Sequence, residues 1–100
     1  NNDLEKGVVL EAKPKVKKPS MYNVLLLNDD YTPMDFVALV LMDVFNFGIQ
    51  KANTITMQVH EQGKGIAGVY PKEIAWMKTK KCNKYAREYG HPFLVTMEAE

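Results

Sequence analysis

Two groups of polar side chains in this sequence are of types that can bind a charged ligand. Asn28, Asp29, Asp30 and Thr32 follow an apolar run where the chain has to turn, and His60 lies near the end of a segment with helical spacing. Carboxylate, amide and neutral imidazole groups accept hydrogen bonds, so together they could receive a cation. The same residues also have ordinary structural uses, because Asn and Asp favour turns and a histidine suits a helix C-terminus.

Catalysis and metal binding have weaker support. Cys82 is the only cysteine and falls on an apolar helix face, where we expect a buried hydrophobic residue. The sequence contains no GxSxG or HExxH motif. Asp29, Asp30 and His60 could be combined as metal ligands, but their spacing carries no metal-site signature. We therefore predict a binding protein that is not an enzyme and holds no cofactor or metal.

Composition predicts one small domain that follows a basic arm. Of 100 residues, 46% are hydrophobic and 25% are charged, and the formal net charge is +1. Residues 1–20 hold five lysines, three acids and no aromatic residue, so we predict a flexible N-terminal extension. Residues 21–100 hold eight basic and nine acidic residues, which argues against nucleic-acid binding. No apolar run has the length of a membrane span, and we expect a cytoplasmic protein.

The periodicity of apolar residues predicts the elements that position these side chains. Their order is a strand over 21–27, a helix from 33 to about 47, a helix over 50–61, a strand over 65–70, a helix over 71–89 and a strand over 93–97. At this length the order β-α-α-β-α-β predicts an α+β fold, a small two-layer sandwich. Its three-stranded antiparallel sheet would carry three helices on one face, within a domain spanning residues 21–100.

Capping residues and apolar faces define the predicted helices. Thr32 is the expected N-cap of the first helix, with Pro33 in its first turn and Asp35 three residues after the cap. The first helix has a predicted core face of Phe36, Val37, Val40, Leu41 and Val44, widened by Leu39 and Met42. The third helix has a predicted apolar face of Ile74, Ala75, Cys82, Tyr85, Ala86 and Tyr89.

Three segments resemble a known protein family. They are NDDYTPMDFV over 28–37, VHEQGKGIAGVY over 59–70 and NKYAREYGHPF over 83–93, and their order and spacing are similar to those of ClpS, the adaptor family of the bacterial Clp protease. The resemblance runs from Pro19 to Met97. It implies the same order of elements, a variable N-terminal extension, and an adaptor in the bacterial cytoplasm that is not itself an enzyme.

The resemblance also implies a ligand and a partner. ClpS proteins bind the free N-terminal residue of N-degron substrates, namely Leu, Phe, Tyr or Trp, and deliver the substrates to the ClpA ATPase of ClpAP. By resemblance, Asn28, Asp29 and His60 would receive the substrate's terminal ammonium, which has three donors and no acceptor. Acetylation would then abolish binding, because it removes the charge and two donors.

A side-chain pocket follows from the same resemblance. The matching positions are Asp30, Thr32, Pro33, Met34, Thr56, Val59 and Phe93. Two of them depart from the usual pattern, since Thr56 stands where methionine is common and Phe93 where leucine is common. We expect the missing methionine to relax the exclusion of β-branched Ile and Val. The alternative is a Clp-binding regulatory domain with an altered substrate pocket.

Docking on ClpA, through its N-terminal domain, is implied for the start of the third helix. Glu73 and Lys78 match the family in type. Lys78 projects onto an otherwise apolar arc, which suits a helix start that overhangs toward a partner. Trp76 projects onto the polar side, and exposed tryptophan is enriched at binding hot spots. We therefore add Trp76 to the predicted interface, while packing on the stems of Lys72 or Lys80 would also account for it.

Overall fold

A computed structural model describes residues 18–100, with three strands and three helices in the predicted order. The elements are β1 (Met21–Leu27), α1 (Met34–Phe45), α2 (Ile49–Gln62), β2 (Lys64–Pro71), α3 (Lys72–Glu88) and β3 (Leu94–Ala99). The α+β prediction is confirmed. The extension predicted over residues 1–20 lies almost entirely outside the described residues. No helix among those described is long and apolar enough to cross a membrane.

The sheet has the order β2-β1-β3, and both neighbouring pairs are antiparallel. Val24 and Leu26 of the central strand and Val95 of β3 are almost completely buried in a core to which all three helices contribute. Burial of this kind is worth roughly 1.5–3 kcal/mol for each large apolar side chain. The core therefore fixes β1, and with it the turn that follows β1 at Asn28.

Gly65 allows β2 to approach α2 closely. A Cβ atom at this position would lie only 2.8 Å from Cγ2 of Val59, which is closer than side-chain carbons can pack. The ladder places Gly65 opposite Leu26 in the central strand. The absence of a side chain thus lets the last turns of α2 rest against the sheet near the end of β1.

The predicted N-cap of α1 is wrong. The helix begins at Met34, Pro33 is its capping residue, and no side chain caps the helix. The Thr32 hydroxyl instead donates to both carboxylate oxygens of Asp29, at 3.0 and 2.8 Å. A nearby carboxylate is a charged acceptor and forms a stronger hydrogen bond than a helix N–H offers, so Thr32 closes the turn and leaves the helix end uncapped.

The helix faces are narrower than predicted. Leu39 is 45% exposed because it lies on the side of α1 turned away from the core residues Phe36, Val37 and Val40. On α3, Ala75, Cys82 and Ala86 are buried, whereas Ile74 and Tyr89 are exposed. The prediction for Cys82 as a buried hydrophobic residue is confirmed, and burial raises the pKa of its thiol to about 12.

Several helix and strand ends differ by one or two residues from the predicted ends. α2 begins at Ile49 and ends at Gln62, and Pro71 closes β2 immediately before α3. Gly63, with φ of 87°, terminates α2 as predicted, and its N–H donates to the Val59 carbonyl at 2.9 Å. Phe93 precedes β3, so it belongs to the segment that enters the strand rather than to the ladder.

Candidate functional site

The turn after β1 is anchored to the end of α2. The Asn28 N–H donates to the Gly63 carbonyl at 2.9 Å, immediately beyond the last residues of α2. This hydrogen bond joins two segments that are 35 positions apart in the chain, one carrying Asn28 and Asp29 and the other carrying His60. The two groups of polar residues singled out in the sequence therefore lie at the same end of the domain.

The Asp29 carboxylate organises this turn. Its Oδ1 accepts the N–H groups of Tyr31 and Thr32, each at 2.8 Å, together with the Thr32 hydroxyl at 3.0 Å. Its Oδ2 accepts only the Thr32 hydroxyl, at 2.8 Å. A carboxylate oxygen has two lone pairs that accept hydrogen bonds. Oδ2 can therefore accept one more hydrogen bond, whereas Oδ1 has no free lone pair.

These contacts also set the charge of Asp29. Burial by itself raises the pKa of the carboxyl group, but the hydrogen bonds from Tyr31 and Thr32, together with the charge of His91, outweigh it and hold the pKa below its ordinary value. The carboxylate is therefore ionised at neutral pH. The turn presents a fixed negative charge at the surface of the domain.

A cavity of about 180 Å³ opens beside this turn. An apolar cavity of about 150 Å³ is large enough to hold benzene, so this one has room for a single large side chain. It is lined by Leu27, Asn28, Asp29, Asp30, Thr32, Met34, Val37, Thr56, Val59, His60 and Phe93. The structure thus brings together nine of the ten residues predicted for amine binding and for the pocket, and leaves out Pro33.

Polar and apolar groups are separated within this cavity. Val37, Val59 and Phe93 are buried and form apolar walls, whereas Asn28 and His60 are exposed at the rim. A site with this arrangement can hold an apolar group inside and a cationic group at the opening. Among residues 18–100, no three His, Cys, Asp or Glu side chains are grouped in a way that could hold a metal ion.

Thr56 contributes less polarity than its residue type suggests. The side chain is only 4% exposed, and its hydroxyl donates to the Ala52 carbonyl one turn earlier in α2, at 2.7 Å. Because the hydroxyl is bound to the helix backbone, the part of Thr56 left to contact a ligand is its methyl group. This wall of the cavity is apolar and shorter than a methionine would make it.

Leu27 and Val37 are lining residues that the sequence reasoning missed. Val37 is predicted on the core face of α1 and is indeed buried, whereas Leu27 is predicted only as the last residue of the first strand. Their positions in the sequence could have indicated this role. Leu27 is the last residue of β1, and Val37 lies in the first turn of α1, so the two residues flank the turn on either side. Residues that flank a binding turn on both sides are well placed to line a cavity beneath it.

The residues predicted for partner docking lie elsewhere. Glu73 and Trp76 are exposed in the first half of α3, and the Lys80 ammonium lies 5.1 Å from the centre of the Trp76 ring. Lys78 is half-buried, and its ammonium donates to the Val44 carbonyl at 3.1 Å while lying over the rings of Phe45 and Tyr70. The structure therefore places Lys78 against α1 as well as near the surface.

Comparison with known proteins identifies the family. Residues 17–96 match the family model described as "ATP-dependent Clp protease adaptor protein ClpS". The chain is 55% identical over 93 residues to the adapter protein ClpS of Hydrogenovibrio crunogenus, an alignment covering 92% of this chain and 89% of the relative. It is 50% identical over 94 residues to that of Parvibaculum lavamentivorans, covering 94% and 86%.

A solved structure shows the same fold. Agrobacterium tumefaciens ClpS2 bound to L-phenylalaninamide superposes with a TM-score of 0.81 at 37% identity, covering 83% of this chain and all of that one. Sequence and structure thus agree over nearly the whole described domain. The chain belongs to the ClpS family of ATP-dependent Clp protease adaptor proteins.

Proposed function

We propose that this adaptor binds the free N-terminal residue of N-degron substrates in the cavity beside Asn28 and Asp29. The single observation that carries the proposal is a cavity of about 180 Å³ that combines buried apolar walls with hydrogen-bond acceptors at its opening. The related ClpS2 was solved with L-phenylalaninamide, a ligand that has a free amino group and a large apolar side chain. Those two features match the opening and the interior of this cavity.

The ammonium of the substrate would be held at the rim. Asp29 offers Oδ2, the Asn28 side chain offers its amide oxygen, and His60 offers a ring nitrogen. Hydrogen bonds to charged groups contribute about 1.5–3 kcal/mol each. An acetylated N-terminus has no charge and a single N–H, so it would lose most of this stabilisation.

The first side chain of the substrate would enter the interior. Thr32, Met34, Thr56, Val59 and Phe93 supply the walls, with Asp30 and Pro33 at the adjoining turn. Burying a Leu or Phe side chain contributes roughly 1.5–3 kcal/mol, which is similar to one of the ammonium contacts. The two parts together select a free, large and apolar N-terminal residue, so we expect Leu, Phe, Tyr and Trp to bind.

We also propose that the protein delivers the bound substrate to ClpA. The docking surface for the N-terminal domain of ClpA would consist of Glu73, Trp76 and Lys78 of α3. Trp76 and Glu73 are exposed there, and an exposed tryptophan is a typical anchor of a binding surface. The protein would hold the substrate and dock on the ATPase in the bacterial cytoplasm, without catalysing a step itself.

The test of substrate binding is a set of peptides that differ only in the first residue. Fluorescence anisotropy would compare Leu, Phe, Tyr, Trp, Ile and Val with acetylated Leu. We expect binding of the four large apolar residues and loss of binding on acetylation. Absence of binding by every peptide would overturn the proposed ligand, and would favour a Clp-binding regulatory domain whose pocket selects something else.

A further inference from the structure

Asn83 of α3 makes a two-point contact with the edge of the sheet. Its amide Nδ2 donates to the Val95 carbonyl, and its Oδ1 accepts the Val95 N–H, each at 2.9 Å. In an antiparallel ladder, alternate residues turn both backbone groups away from the partner strand. Val95 lies opposite Leu26 in β1, and its outward groups find in Asn83 the donor and acceptor that another strand would supply.

This contact lies next to the cavity wall. Phe93, which is 4% exposed and lines the cavity, is two residues before Val95 and is not part of the ladder. On its other side the chain is next held where the His91 N–H donates to the Ala86 carbonyl at 2.9 Å. Phe93 thus lies between two attachments to α3, one at His91 and the other at Asn83 through Val95, and directly before Leu94, which the ladder pairs with Leu27 of β1.

We propose that Asn83 is a positioning residue that sets the depth of the cavity by fixing Phe93 through Val95. The inference rests on the proposed binding of N-terminal side chains in this cavity. The ladder to β1 holds the inner side of β3, and Asn83 holds the outer side. If the outer attachment is released, β3 can shift toward or away from α3 at its first residues, and the ring of Phe93 shifts with it.

The chemistry of this contact requires an amide. An Asp at position 83 has the same shape and keeps an acceptor for the Val95 N–H, but it places a second carboxylate oxygen against the Val95 carbonyl, where two acceptors repel. A Gln keeps both the donor and the acceptor on a side chain that is one methylene longer. Asn83→Asp therefore breaks the contact, and Asn83→Gln retains its chemistry with a displaced geometry.

The expected effect is on selectivity between side chains. One methylene is worth roughly 10- to 200-fold in an apolar pocket, and a displaced wall should cost part of that. We expect the ratio of dissociation constants for Phe-first and Leu-first peptides to change by roughly three- to tenfold in Asn83→Asp. Asn83→Gln keeps the donor and the acceptor and should change the ratio less than Asn83→Asp does.

A matched control distinguishes an effect on the position of Phe93 from a general loss of folding stability. Met97→Ala removes a side chain that packs on the core from the same strand, two residues beyond Val95 and away from the cavity. It should lower the thermal midpoint without changing the Phe to Leu ratio. A wild-type ratio in Asn83→Asp would overturn the proposal, and so would an equal change of ratio in Met97→Ala.

A second measurement needs no peptide. The ring resonances of Phe93, followed by NMR in the unliganded protein, should move in Asn83→Asp and stay near the wild-type positions in Met97→Ala. Unmoved Phe93 resonances in Asn83→Asp would overturn the inference whatever the peptides do. Moved resonances in a protein that binds no peptide would support the inference and count against the proposed ligand alone.

Discussion

The two ends of this small domain are built differently. At the end of β1, a turn held by four hydrogen bonds to Asp29 borders a cavity with a polar rim and apolar walls. At the other end, the first half of α3 presents Glu73 and Trp76, and Trp76 is 55% exposed. One end is a cavity beside a preorganised turn, whereas the other presents side chains that are exposed to solvent.

That contrast matches two different kinds of ligand. A single residue with a charge needs fixed acceptors and an enclosed volume, because its specificity comes from a few hydrogen bonds and one side chain. A folded partner provides its own shape and needs an exposed anchor. β1 spans seven residues, so the two ends are about 20 Å apart. We therefore expect each end to be altered without disturbing the other.

The largest expected effect is on peptide binding in Asp29→Ala. The variant removes the fixed charge at the rim and the acceptor that orders the turn, so affinity for a Phe-first peptide should fall by about 100-fold or more, from the loss of one or two charge-assisted bonds. Asp35→Ala, an exposed aspartate on the first turn of α1, is the control and should bind as wild type.

Loss of ClpA affinity in Asp29→Ala would show that the two ends of the domain are not independent. Anisotropy with labelled peptide and a separate binding measurement with the ClpA N-terminal domain distinguish the two outcomes. Unchanged affinity for peptide in Asp29→Ala would remove the carboxylate from the amine site.

Trp76→Ala should have the next largest effect, and at the opposite end. Truncation of a tryptophan anchor costs about 2 kcal/mol or more, so affinity for the ClpA N-terminal domain should fall by about 30-fold. Met77 is 54% exposed and faces a different side of α3, which makes Met77→Ala a control for the loss of exposed apolar surface. Peptide binding should be unchanged in both variants, and wild-type ClpA affinity in Trp76→Ala would exclude Trp76 from the interface.

Lys78 has two roles on α3. It is predicted at the ClpA interface, and it also contacts α1. Lys78→Met keeps the stem and removes the donor to the Val44 carbonyl, one of the carbonyls that a helix C-terminus leaves unpaired. We expect a loss of about 1 kcal/mol in the free energy of unfolding, since the site is half-buried. Lys81→Met, at an exposed lysine of the same helix, should leave stability unchanged, and equal unfolding curves for both variants would contradict this role.

Much of the fold was predictable because its signals are local. The apolar run of β1, the glycine after α2 and the order of elements depend on neighbouring residues only, and the structure shows each of them. The cavity residues could be named because a resemblance supplied long-range information. Without it, Asn28 and Asp29 would have remained turn formers and His60 a residue of a helix end.

What could not be predicted depends on contacts between distant elements or on competing local ones. Thr32 lies three residues after Asp29 and two before the first residue of α1, so the same side chain could close the turn or cap the helix. On a helical projection of α3, Asn83 falls outside the apolar face that contains Cys82 and Ala86, yet β3 packs beside it and half-buries it. A helical projection contains no information about such a neighbour.

Thr56 allows a finer test of the cavity. Its hydroxyl is bound to Ala52, so Thr56→Val, which replaces only that hydroxyl by a methyl, should leave peptide preference nearly unchanged. Thr56→Met makes this wall bulkier. It should lower the affinity for Ile-first and Val-first peptides relative to Leu-first peptides by several-fold, which is within the range that a change of one or two methylenes produces in an apolar pocket. Equal rejection of the β-branched peptides by wild type and by Thr56→Met would show that this wall does not control selectivity.

The smallest expected effect concerns acid stability at the cavity end. The folded-state pKa of Asp29 lies below its unfolded value, so its contribution to stability is present above the unfolded value and is lost as pH falls through the folded one. The site is largely open to solvent, so the contribution is small. The difference in unfolding free energy between wild type and Asp29→Asn, measured by urea titration, should be constant near neutral pH and shrink below about pH 4. No comparable change is expected for Trp76→Ala, which removes no titrating group, so a pH-dependent difference in that variant would show that the two ends are coupled.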